Sequence, residues 1–154
     1  MRQPRGNTLR RWHVGRQWRT ATPDTNPFEA GLSFACKLDK DIPFRGRDAL
    51  LKLRAEPLRR RMVVLTADGA ADRMLWGGEA ILRDGKPVGF VSSAAFGHTL
   101  GCPVAMGYIN HPDGVADAAY LNSGQYMIDV ASDLLPATVH LKAPYDPRSE
   151  RVKG

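Results

Sequence analysis

Two hydrophobic periods divide the chain. Residues 46–56 (GRDALLKLRAE) place Leu50 and Leu53 three apart, with Ala49, Leu51 and Ala55 extending the same face. That spacing predicts an amphipathic helix over 46–56. Asp48 falls in its first turn, and Pro57 stops it. From Arg59 onward, short apolar runs alternate with Gly, Asp and Asn. Strands are predicted at 62–65, 79–82, 87–91, 104–109, 125–130 and 137–141. Arg83-Asp84-Gly85-Lys86 lies between two of these runs, and Asp-Gly supplies the positive φ of a type I′ hairpin turn. Residues 92–102 read as a loop. Strands of this number, joined by tight turns, predict a small antiparallel barrel or sandwich.

The N-terminal third is less regular. Thr22-Pro23-Asp24-Thr25-Asn26-Pro27 is turn chemistry, with two prolines and short polar side chains. Residues 28–38 (FEAGLSFACKL) suggest a short strand or an extended segment, and 39–44 another loop. Residues 144–154 form a polar tail. The expected class is α+β, mainly β. The expected divisions are a basic irregular leader (1–21), a first structured part ending in the helix (22–56), the barrel (57–147) and a polar tail (148–154).

Charge adds one point. The 154 residues carry a net +6, yet residues 1–20 hold six arginines (Arg2, Arg5, Arg10, Arg11, Arg16, Arg19) and no acid. The remainder sums to zero. A nucleic-acid-binding barrel would carry its excess charge on the folded body, so no nucleic-acid partner is expected and a basic RNA-binding barrel stays a remote alternative. No apolar run approaches the ~20 residues of a membrane span, so no membrane partner is expected. The Arg-rich start lacks the apolar core of a secretory signal. Cys36 and Cys102 form no CxxC pair, which favours a reducing compartment, taken as cytoplasmic.

Catalytic constellations are sparse. His13, His98, His111 and His140 show no metal-ligand spacing, so no metal is expected. Cys102 and His98 are four apart without further support for nucleophilic chemistry. Residues 97–101 (GHTLG) lack GxGxxG and GK[ST] and read as a turn. Asp113 and Asp117 lie in the polar stretch NHPDGVAD and read as solvated. No catalytic residue is assigned.

Three motifs, in order and spacing, resemble the C-terminal part of the aminomethyltransferase (glycine cleavage T-protein) family. The first runs from Thr22 through Pro27, Phe28, Glu29, Ala30, Gly31 and Leu32, followed by Lys37-Leu38-Asp39-Lys40, Phe44 and Gly46-Arg47-Asp48-Ala49-Leu50. The second is Arg60-Arg61-Met62-Val63-Val64-Leu65. The third comprises Gly77-Gly78-Glu79, Gly85, Val88-Gly89-Phe90-Val91-Ser92-Ser93, Thr99-Leu100-Gly101 and Ala105-Met106-Gly107-Tyr108-Ile109. The first is similar to the folate-binding region of dimethylglycine and sarcosine dehydrogenases. The family also includes the regulatory subunit of pyruvate dehydrogenase phosphatase.

The resemblance implies a fold and a chemistry. Residues 22–56 would be the end of a folate-binding domain and 57–147 the small C-terminal antiparallel β-barrel. The parent activity would be transfer of a one-carbon unit from a small amine to tetrahydrofolate, with FAD in an upstream domain. The acid of the PxEAG motif, Glu29, would bind the pterin, since a carboxylate accepts the N–H pair of the amino-pyrimidine edge. A loop carboxylate capping its own turn is the alternative. Among Arg59, Arg60 and Arg61, Arg60 is the candidate for a folate contact, against solvated charges at a strand start. The chain alone should be inactive, and a face meant for upstream domains should drive self-association. A non-catalytic regulatory or interaction module is the alternative function. The family's acidic motif before PxEAG has no counterpart here, and the switch to family sequence at Thr22 suggests a shifted reading frame upstream of it or, equally, a truncated gene with a spurious start.

Overall fold

The computed structural model describes residues 21–22 and 24–153. A 3-10 turn (Ser33–Ala35) and helix α1 (Arg47–Ala55) precede six strands: β1 (Arg60–Ala67), β2 (Ala80–Arg83), β3 (Lys86–Gly97), β4 (Cys102–Asn110), β5 (Tyr126–Val130) and β6 (Asp133–His140). Helix α2 (Ala118–Asn122) lies between β4 and β5, and α3 (Glu150–Lys153) follows β6. The strands close into an antiparallel barrel in the order β1-β4-β3-β2-β5-β6, with β1 pairing β6 across the seam.

Closure follows from alternation. Val63, Leu65 and Ala67 of β1 point inward, as do Pro103, Ala105 and Ile109 of β4 and Tyr126 and Ile128 of β5. Leu65, Ile81, Val91, Ile109 and Ile128 are fully buried at the centre. A β-bulge near Ser92 adds one residue to β3 opposite β4. Val91 and Ser92 are therefore both buried, and the pleat resumes in the opposite phase so that Ala94 packs on the core. The Ser92 hydroxyl donates to the Met106 carbonyl oxygen at 2.9 Å. Asp84 and Gly85 turn the β2–β3 hairpin with φ of 50° and 76°, as a type I′ turn requires.

Several expectations are corrected. The loop expected over 92–102 is largely strand: β3 runs to Gly97, because Ala94, Ala95 and Phe96 pair with Ala105, Val104 and Pro103. Residues 28–38 form turns and a 3-10 turn, not a strand. Leu32 N–H bonds the Pro27 carbonyl and Ala35 N–H the Leu32 carbonyl, which curls the backbone. Asp113 and Asp117 are exposed in a loop, as expected, and Asp117 in addition caps α2 by accepting from the Tyr120 N–H at 2.7 Å. Helix α1 forms as expected but buries no residue, and Ala49 and Ala55 are exposed.

Candidate functional site

The site is built where the turns before α1 meet the start of β1. Asn26 and Glu29 lock their turn reciprocally. The Asn26 Oδ1 accepts the Glu29 N–H at 2.9 Å, and Glu29 Oε2 receives the Asn26 N–H at 3.4 Å. The Met62 N–H donates to the Glu29 carbonyl at 2.8 Å, tying this turn to β1. Arg60 then closes the arrangement. Its Nη2 lies 3.0 Å from Glu29 Oε2 and 3.4 Å from the Thr25 hydroxyl, and its guanidinium sits over the Tyr108 ring, 5.2 Å from the centroid. The Glu29 side chain is only 16% exposed and that of Arg60 32%, so the pair is partly shielded from water.

The structure therefore brings Glu29 and Arg60 together as an ion pair. Glu29 both stabilises its own turn and faces an open cleft. The cleft has a volume of about 370 Å³ and is lined by Asn26, Glu29, Leu53, Glu56, Pro57, Leu58 and Arg59. That is near the lower bound of small-molecule sites, ~300 Å³. Oε2 is taken by Arg60 and Asn26. Oε1 accepts no hydrogen bond from the described residues.

The Tyr108 hydroxyl is the buried polar atom of the group. It has no hydrogen-bond partner among the described residues; the Thr25 hydroxyl faces it without reaching hydrogen-bond geometry. Burial pushes the phenol above its ordinary value of 10.0, and the Arg60 cation opposes that rise.

Asn26, Thr25 and Tyr108 were not site candidates from the sequence. The N-x-x-E spacing of Asn26 and Glu29 is a capping-box signal that marks the first. Tyr108 reads only as an apolar strand residue, because its partner lies across the sheet. Among the described residues, no three of His, Cys, Asp and Glu gather as metal ligands. His98 packs edge-on against Phe96, and Nε2 of His140 meets the Thr66 hydroxyl at 3.0 Å. His13 lies outside the described residues.

Comparison with known proteins gives this arrangement a family. The profile described as "Glycine cleavage T-protein C-terminal barrel domain" matches residues 60–146. The chain belongs to this family. Mouse sarcosine dehydrogenase, a mitochondrial protein, is 42% identical over 146 residues, which is 94% of this chain and 15% of that protein. The mouse mitochondrial pyruvate dehydrogenase phosphatase regulatory subunit is 33% identical over 76% of this chain and 14% of its own length. Aminomethyltransferase from Thermotoga neapolitana is 42% identical over 56% of this chain and 22% of its own length. The crystal structure of the glycine cleavage system aminomethyltransferase T from Bartonella henselae superposes with a TM-score of 0.60 at 26% identity, covering 77% of this chain and 31% of that one. The T-protein barrel found here thus spans a small fraction of its longer relatives. The 94% coverage by sarcosine dehydrogenase reaches well into the residues before Thr22, so the expected switch from unrelated to family sequence there is corrected.

Proposed function

We propose that this chain forms one wall of a tetrahydrofolate site in a one-carbon-transferring enzyme of the sarcosine dehydrogenase type. The observation that carries this reading is the Glu29 carboxylate on the cleft wall, whose Oε1 accepts no hydrogen bond from the described residues. The donor set suits the ligand. A carboxylate oxygen free of internal partners accepts N–H groups from an amino-pyrimidine edge, and Arg59 on the cleft wall is suited to an anionic tail. Bound tetrahydrofolate would supply the nitrogens that receive the one-carbon unit. The residues of this chain bind and orient it. Glu29 sets the pterin edge, and Leu53, Pro57 and Leu58 exclude water on one side.

The amine and any flavin belong, in this reading, to parts of the longer enzyme outside the matched region. Leu32, Phe34, Ile42 and Phe44 are exposed and α1 buries nothing, which supports a docking face for those parts. The compartment in this reading is reducing, cytoplasm or the mitochondrial matrix, in keeping with two unpaired thiols. The similarity to the phosphatase regulatory subunit favours one second reading, a non-catalytic module that binds a protein partner. Isothermal titration of the chain and of Glu29→Gln with tetrahydrofolate separates the two. Binding that is weakened in the variant supports the folate reading. Absence of binding, or binding indifferent to Glu29→Gln, rejects it and leaves the regulatory module.

A further inference from the structure

We propose that Arg60 and Tyr108 act on Glu29 and not on a ligand: they decide which carboxylate oxygen the cleft receives. This inference rests on the reading of the cleft as a tetrahydrofolate site. Three observations carry it. Leu58 and Arg59, just before β1, line the cleft, and Arg60 at the start of the strand is not among its lining residues. The Nη2 of Arg60 is already engaged by Glu29 Oε2 and the Thr25 hydroxyl. The guanidinium carbon lies over the Tyr108 ring, 5.2 Å from its centroid, so the ring is a further contact that holds the arginine.

The sheet supports the same geometry. Tyr108 of β4 is the register partner of Met62, and the Met62 N–H holds the Glu29 carbonyl. One short stretch of the β1–β4 ladder thus anchors both the backbone of Glu29 and, through Tyr108 and Arg60, its side chain. With Oε2 engaged by Arg60 and Asn26, Oε1 is the oxygen left to accept from a ligand in the cleft that Glu29 lines. A lysine in place of Arg60 would keep the charge but lose the planar group that bonds Glu29 while stacking on Tyr108. Arg60 and Tyr108 are therefore positioning residues.

The test follows the Glu29 side-chain carboxyl by ¹³C NMR in the full chain, together with tetrahydrofolate affinity. Arg60→Met and Tyr108→Leu are each expected to move the Glu29 resonance and weaken binding by about tenfold. Tyr108→Phe keeps the ring and should leave both unchanged. In a Glu29→Gln background, Arg60→Met should add no further loss, since its effect runs through the carboxylate. Losses that add would show Arg60 touching the ligand, and a Glu29 resonance unmoved by Tyr108→Leu would remove the role of the ring. Either overturns the proposal. Should Tyr108→Leu fail to fold, Arg60→Lys takes its place, with the same resonance expected to move and an unmoved one overturning the proposal. If the wild-type chain binds no tetrahydrofolate, the reading of the site fails, while the resonance shifts still decide whether Arg60 and Tyr108 position Glu29.

Discussion

A Cβ atom on Gly89 would land on the carbonyl oxygen of Tyr108. The β3 and β4 backbones approach there because neither side chain at Gly89 nor at Gly107 keeps them apart; a Cβ on Gly107 would meet the Phe90 carbonyl oxygen at 2.6 Å. Neither neighbour is a flexible side-chain tip, so the strands themselves would have to move. Gly89→Ala should cost about 3 kcal/mol or more, or prevent folding. Urea unfolding reads this directly, and a midpoint equal to wild type would contradict the close packing of the two strands.

Leu65 is fully buried at the centre of the barrel. Leu65→Ala should cost about 3–5 kcal/mol, the transfer cost of the lost carbons plus that of the cavity they leave. Trp76, 72% exposed, should lose within about 0.5 kcal/mol on truncation to alanine. Equal losses at the two positions would place the core elsewhere.

Tyr108 and Tyr126 both have buried hydroxyls without hydrogen-bond partners among the described residues. Burial raises both phenols above 10.0; the Arg60 cation opposes it at Tyr108, and Arg83 opposes it at Tyr126. Above pH 10 the unfolded chain releases these protons while the folded chain still holds them. Their contribution is therefore fully present below pH 10 and is lost as pH rises through the folded values. Stability measured by denaturant titration between pH 9 and 11 should fall less steeply in the Tyr108→Phe/Tyr126→Phe double variant than in wild type. Equal slopes would sink this account.

Phe34 and Ile42 are each 71% exposed on the segment before α1. Without a cover, that face should drive self-association. Sedimentation velocity should show concentration-dependent species that Phe34→Ser/Ile42→Ser returns to monomer. A wild-type chain that is monomeric at every concentration would show that this face needs no partner.

The barrel was legible because its signals are local. Asp84-Gly85 sets the hairpin turn, and Val63, Leu65 and Ala67 alternate with the pleat. The extension of β3 through Ala94, Ala95 and Phe96 was not, since small residues in a strand carry little propensity and pair only because β4 lies alongside. Asp117 looked like loop polarity, yet the same short carboxylate that favours a turn also caps a helix start. The exposed α1 face kept its helical spacing without the burial that usually accompanies it. Glu29 was legible only through a family motif. Its pairing with Arg60 is set by tertiary geometry that no spacing in the chain encodes.

The central claim is that the cleft beside Glu29 is a tetrahydrofolate wall. The most direct test is an amide NMR titration of the ¹⁵N-labelled chain with tetrahydrofolate. The account predicts saturable shifts at Asn26, Glu29, Leu53, Glu56, Leu58 and Arg59, saturating only at higher tetrahydrofolate concentration in Glu29→Gln. A spectrum that stays unmoved, or shifts that gather instead around Met74, Trp76 and Phe96 at a second cleft, would contradict it.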